Sequence, residues 1–161
     1  MASLKYRCLT PNVEVKEYPV AASQIFYHNG AQFAYLDSSG YITVGVTATT
    51  TVIGWVQVPV GRGAGTSDLY WKSSATAGAD KVRVIVDPNA EFLVPLDDSM
   101  DITDIGKGCD IVLTTADGAG PQLIDLGTGS NDIVKITALG TTCQEGAATD
   151  AVVKIYTFQL D

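Results

Sequence analysis

Short apolar runs that break off every few residues are what most restrict the fold of this chain. AQFAYL, YITVGV, TVIGWVQVPV, DLYWK, KVRVIVD, AEFLVP, CDIVLTT, PQLIDL, DIVKITAL and AVVKIYTFQL are strand-length and rich in β-branched or aromatic residues. Between them lie SSG, GRGAGTSD, SSATAGAD, ADGAGP, GTGSND and GTTCQEGAATD, whose residues accept turn geometry. Helical periodicity is nearly absent, because Gly, Thr or Val interrupts almost every i, i+3, i+4 pattern. The expectation is an all-β fold, a small β-barrel or sandwich of about ten short antiparallel strands.

Alternation assigns faces. In KVRVIVD, Val82, Val84 and Val86 point one way and Arg83, Ile85 and Asp87 the other. In AVVKIYTFQL, Val152, Lys154, Tyr156, Phe158 and Leu160 form the more apolar set and are expected inward, with Lys154 snorkelling, against Val153, Ile155, Thr157 and Gln159. FAYLDSSGYITVGVT reads as a hairpin. Gly45 and Gly54 inside apolar runs signal a bulge or a close backbone approach. DDSMDITDIGKG is expected to form one short helix, with Asp98 or Ser99 as N-cap, Asp101 in the first turn, Lys107 near the end and Gly108 as terminator.

Residues 1–20 differ from the rest. RCLTPNVEVKEYPVA carries two prolines and mixed charge, and the segment reads as an extended N-terminal arm that lies along the body or reaches a neighbour. Residues 21–161 then form the β body. A chain of 161 residues, 46% hydrophobic and 17% charged, suffices for one such domain.

Charge narrows the partners. Residues 1–60 carry three basic and three acidic side chains, whereas the remainder carries seven basic and fifteen acidic, so the net charge of −8 sits after position 60. Nucleic-acid binding depends on Lys and Arg displacing counterions from phosphates, so an acidic body argues against nucleic acid and against anionic membrane. The apolar runs fall far short of the ~20 residues that cross a bilayer. The first residues show no signal-peptide pattern, which leads to an expectation of cytosolic synthesis.

Candidate sites are sparse. GRGAGTSD lacks the Lys that a phosphate-binding loop sets before Ser or Thr, and a strand rather than a helix follows. Asp97, Asp98, Asp101 and Asp104 do not follow the calcium-loop order and are expected to cap and solvate a turn. Cys8, Cys109 and Cys143 are read as reduced thiols, a Cys109–Cys143 bridge being open on spacing alone. His28, the single histidine, has no partner signature for hydrolysis and too few companions for zinc. No enzyme class, cofactor or metal is expected. Trp55 and Trp71 are expected to be buried in strands; with Tyr70 they could instead stack a sugar if exposed, which would suit a carbohydrate-binding or host-attachment module.

The run FYHNGAQFAYLDSSGYITVGVTATTTVIGWVQVP places Gly30, Phe33, Tyr35, Leu36, Asp37 and Gly40 before Val52, Ile53 and Gly54. This strand-turn-strand followed by an apolar strand with a glycine resembles the head decoration, or capsid cement, proteins of tailed bacteriophages. EFLVPLDDSMDITDIGKGCDIVLTT and QLIDLGTGSNDIVKITALG look like the companion half of such chains. The resemblance implies a virion protein made in the host cytoplasm that docks outside an icosahedral shell. It would act as a trimer and bridge neighbouring copies of the major capsid protein. Lys5, Tyr6, Arg7 and Tyr18, in the near-neutral portion, are then the expected partner contacts.

Overall fold

A computed structural model of the chain describes residues 7–27, 32–46, 49–59, 70–113, 122–127, 132–140, 148–157 and 159. The chain is all-β, with thirteen strands among the described residues. In order they are β1 (Arg7–Cys8), β2 (Val15–Pro19), β3 (Ile25–Tyr27), β4 (Phe33–Leu36), β5 (Ile42–Val44), β6 (Gly54–Gln57), β7 (Tyr70–Lys72), β8 (Lys81–Ile85), β9 (Phe92–Met100), β10 (Gly108–Leu113), β11 (Gln122–Asp125), β12 (Val134–Leu139) and β13 (Ala148–Ile155). All ten runs picked out by composition contain a strand. The short β1, β2 and β3 come in addition, from segments too polar or too short to stand out.

The strands form two curled sheets and a small ribbon. The first sheet runs β2-β8-β6-β4-β5, and a parallel bridge between Val20 and Ile42 joins its two edges. The second runs β1-β9-β11-β10-β12-β13, and β13 also pairs with β9, which closes five of its strands into a circuit. Apart from that bridge, pairing is antiparallel except at β9–β11, where Leu96 meets Ile124 in parallel. β3 and β7 form the separate two-stranded ribbon. Closure removes sheet edges that would otherwise present unpaired backbone to other chains.

Two hydrophobic clusters result, and the first sheet lies between them. Its alternate residues serve both. Ala34, Ile53, Val56, Val82, Val84 and Val86 enter the cluster that Phe26 and Trp71 of the ribbon complete. Phe33, Val52, Trp55 and Ile85 point the other way, into the cluster filled by Phe92, Val94, Ile111, Ile124, Val134, Ile136 and Val153. The alternation in KVRVIVD therefore separates one interior from a mixed face, on which Arg83 is exposed while Ile85 enters the other cluster and is buried as fully as the valines.

Aromatic rings and amides tie the halves together. The Trp55 and Phe92 rings stack with centroids 4.8 Å apart, and Phe33 meets both edge-on at 5.1 and 5.6 Å. Each such pair adds about 0.5–1.5 kcal/mol beyond area burial. Beside them, the fully buried Gln122 side chain treats β4 as a strand partner. The Phe33 N–H donates to Gln122 Oε1 at 2.8 Å, and Gln122 Nε2 donates to the carbonyls of Phe33 at 2.7 Å and Gly45 at 2.8 Å. Gln159 makes the same clamp three residues later: the Leu36 N–H donates to its Oε1 and its Nε2 donates to the Leu36 carbonyl, both at 2.7 Å.

The hairpin turn is closed by Asp37, whose Oδ1 accepts from the N–H groups of Ser39 and Tyr41, with Gly40 at φ 81°. The close-approach reading of the strand glycines holds. A Cβ at Gly54 would lie 2.0 Å from the Ile85 carbonyl oxygen, and one at Gly45 would lie 2.9 Å from that of Phe33.

Two expectations are corrected. The helix is a single 3₁₀ turn, Ile102–Asp104, capped by Asp101; Asp98 and Ser99 belong to β9 and Gly108 opens β10. Pairing of β9 with β13 reaches as far as Met100, and this holds the residues before the turn extended. In β13 the inward face is Ala151, Val153 and Ile155, while Tyr156 is 58% exposed; Phe158 and Leu160 lie outside the described residues. The smaller set wins because the circuit already holds Phe92, Met100 and several isoleucines, which leaves room for Ala and Val. The described part of the arm, residues 7–20, lies along the body: β1 pairs with β9 and β2 with β8, and Val20 is buried.

Two substitutions test this packing. Gln122→Leu strands the Phe33 N–H and the Gly45 carbonyl without partners, while the Phe33 carbonyl keeps the Gly45 N–H; the cost is about 1–3 kcal/mol for each buried group left unpaired. Urea unfolding is expected to show a loss of at least ~2 kcal/mol, and a smaller loss for Gln159→Leu, whose site is only half-buried. Gly54→Ala is expected to yield little folded protein by circular dichroism, because the clash is with backbone and no rotamer relieves it.

Candidate functional site

The segment laid across both sheets is the surface with the most distinctive construction. From Arg7 to Val20 it is pinned almost residue by residue. Arg7 sits opposite Leu93 and Cys8 opposite Phe92. The Leu9 N–H donates to the Glu91 carbonyl at 2.8 Å, and the Glu91 N–H donates to Thr10 Oγ1 at 2.8 Å. Asn12 takes φ 55°, a left-handed value Asn tolerates, where the chain leaves the second sheet. The Val86 N–H then donates to the Glu14 carbonyl at 3.0 Å, and Val15 to Pro19 pair with β8. Pro19 and Pro11 fit this course because an outermost strand has N–H positions that the ladder does not use.

Side chains alternate along it. Cys8, Val13 and Val15 pack on one cluster, Tyr18 on the other. Arg7, Leu9, Lys16 and Glu17 are exposed. Lys16 pairs with Glu14 at 3.2 Å and Lys81 with Glu17 at 3.8 Å; both pairs are in solvent and contribute little to stability. Of the four expected contact residues, Arg7 is outward on β1 and Tyr18 half-buried on β2, on different sheets. Lys5 and Tyr6 lie outside the described residues.

The exposed large apolar side chains among the described residues are Leu9, Ile102, Ile105 and Tyr156, and all four belong to the half built on the second sheet. Ile102 and Ile105 flank the 3₁₀ turn. The turn is fixed where the Asp101 N–H donates to Asp104 Oδ2 at 2.9 Å, where Gly106 at φ 91° donates its N–H to Ile136, and where Lys107 Nζ donates to the Leu126 carbonyl. Tyr156 lies under Lys135 Nζ, 5.1 Å from its ring centre. Sequence reasoning missed these residues. Ile102 and Ile105 read there as parts of a helix, and Tyr156 as an inward residue.

The other sequence candidates fall as follows. Asp97 Oδ1 accepts from the Leu126 N–H at 2.9 Å and so ties β9 to the end of β11. Among the described residues, no three His, Cys, Asp or Glu side chains come together as a metal-binding group. Trp55 and Trp71 are 7% and 3% exposed and lie in different clusters, so neither offers a face for stacking a sugar. Tyr70 packs against Tyr27 at 5.8 Å. His28, Cys143, Gly61 to Asp68 and the run from Gly127 to Asp132, apart from Gly127 and Asp132 themselves, lie outside the described residues. No helix among the described residues is long and apolar enough to cross a membrane.

Cys8 and Cys109 are free thiols. Burial pushes both up from their ordinary value, and carries Cys109 to about 11; Lys107 opposes this, while Asp125, Asp104 and Asp110 add to it.

Comparison of the chain with known protein families, with curated proteins and with solved structures yields no match.

The raised Cys109 value fixes a pH dependence. A thiol that holds its proton more tightly folded than unfolded supports the fold below the unfolded pKa. That support is lost as pH rises from about 9 towards 11. Stability measured by urea is expected to fall across that window, and less so in Cys109→Ala. At pH 8, iodoacetamide is expected to label Cys8 well before Cys109.

Proposed function

We propose that the protein is a structural virion component that binds the outer surface of a phage capsid and bridges neighbouring capsid subunits, working through buried contact area with no bond made or broken. One observation carries the reading: the N-terminal segment is the outermost strand of both halves at once. A partner gripping this segment pulls on two cores through backbone hydrogen bonds, so force spreads into the whole body instead of peeling off a loose tail. The aromatic and amide ties between the halves make that body stiff, which suits a clamp. Arg7 and Leu9 present a charged and an apolar contact on the same edge, and the sequence resemblance to capsid cement proteins points the same way.

Area is the currency of such contacts. A stable interface buries about 1,600 Å² in all, and weaker ones gain when repeated over a lattice. Self-association as a trimer belongs to the same proposal, since each protomer would then bring its edge strand to a different capsid subunit.

The test spares the fold. Removing residues 1–18 would strip β2 from β8 and damage the first sheet, so the useful variants are a chain lacking residues 1–6 and Arg7→Ala. Co-sedimentation with undecorated shells is expected to weaken by about tenfold, equal to roughly 1.4 kcal/mol of lost contact, with an unchanged melting temperature. Full binding by both variants would overturn the reading.

A further inference from the structure

Ile102 and Ile105, 56% and 42% exposed, stand on a turn that hydrogen bonds hold from within and from β12. Within it, the Asp104 N–H donates to the Asp101 carbonyl and the Lys107 N–H to that of Asp104, both at 3.0 Å. The Gly106 N–H donates to the Ile136 carbonyl at 2.8 Å, and the Ile136 N–H returns to that of Lys107 at 3.1 Å. Apolar groups on a fixed support lose little backbone freedom when a partner covers them, which suits a contact surface. Around the two isoleucines, Asp97, Asp98, Asp101 and Asp104 against Lys107 leave three negative charges.

The same half of the molecule carries a surface of opposite character. Strand register and the Lys154–Glu91 ion pair at 3.9 Å place Leu9, Glu91, Lys154 and Lys135 in one row across β1, β9, β13 and β12. Their neighbours Cys8, Phe92, Val153, Ile155, Val134 and Ile136 point into the core cluster, so the row faces outward. Tyr156 adjoins the row, 58% exposed, with Lys135 Nζ over its ring. Arg7 is exposed on the same face of β1 as Leu9. Glu91 answers one of three cations, and neither Arg7 nor Lys135 has a carboxylate partner among the described residues.

We propose that a second copy of this chain covers the row with its own turn. Ile102 and Ile105 of one copy pack on the Tyr156 ring and the Lys135 stem of the other, and the aspartates beside them face Lys135 and Lys154. Charge selects this pairing. Each copy carries −8, so most approaches of two copies are repulsive. Turn against row brings opposite charges together with apolar groups on both sides. Turn against turn, or row against row, opposes like charges. An acidic polymer laid on the row would leave the isoleucines of the turn in water. The contact rests on the self-association in the proposed function and not on capsid docking, so the two can fail separately.

Sedimentation velocity of the full chain in low salt, from about 5 to 500 μM, is expected to show reversible self-association. About 1 M NaCl, which cuts the screening length to roughly 3 Å, is expected to weaken it at least tenfold. Lys135→Glu and Asp98→Lys, both at exposed strand positions, are each expected to weaken it about tenfold or more with an unchanged melting temperature. An equimolar mixture of these two variants is expected to recover association, because each retains the surface that the other has lost. Ile105→Ser, which leaves the charges in place, is expected to weaken association as well. A chain that stays monomeric at about 500 μM, or variants that associate as the unaltered chain does, would overturn the proposal. So would a mixture that stays dissociated. No shells enter these measurements, so a failure of capsid binding leaves their outcome unchanged.

Discussion

One sheet shared between two interiors is the constraint on which the rest of this structure depends. At Phe33–Ala34, Trp55–Val56 and Val84–Ile85, β4, β6 and β8 have no solvent-facing side, because successive residues enter opposite clusters. Such strands cannot slip in register. A shift of one residue would exchange Phe33 with Ala34 and Trp55 with Val56, putting rings where methyl groups fit. The glycines follow from the same crowding. Where β6 passes β8, Gly54 leaves no room for a Cβ against the Ile85 backbone, and that contact sets how tightly the first sheet can curl.

Buried polarity reinforces the arrangement. A shared sheet needs its last backbone groups satisfied where the ladder stops, and at β4 this falls to two glutamine amides reaching from the other half. An amide side chain has the donor and acceptor of a peptide group, so it can extend a sheet by one residue without a strand. The C-terminal strap adds to this. Val52 donates its N–H to the Thr157 carbonyl, and its own carbonyl accepts from the Gln159 N–H. Both ends of the chain thus cross between the halves, the N-terminal end by β1 and β2 and the C-terminal end by Gln159. A body tied in this way suits a role in which shape must hold under load, and the acidic residues outside it favour solubility.

The hairpin at Asp37 and Gly40 was legible in the sequence because its chemistry is local: an aspartate that bonds its own backbone two and four residues on, and a glycine free to take φ 81°. The alternation of Val82, Val84 and Val86 was legible for the same reason. The direction of β13 was not. Counting apolar atoms favoured Tyr156, and the circuit instead admitted Ala151 and Val153 because larger residues on other strands already filled the space. The extent of the turn at Ile102 was hidden as well, since pairing of β9 with a strand some fifty residues later kept Asp98 and Ser99 out of a helix. Of the candidate surface, Arg7 and Tyr18 were named from the resemblance and from the near-neutral charge of the N-terminal portion.

What this sequence determined by itself is the β class, the position of most strands and the glycine positions where backbones nearly touch. Those follow from side-chain branching, alternation and turn chemistry, each of which acts over a handful of neighbouring residues. Only the tertiary structure decided that there are two clusters instead of one, that the N-terminal segment spans both sheets, and that Gln122 and Gln159 complete the backbone of β4. These depend on which distant segments meet, and a pattern of period two is the same whether its second face meets water or another core.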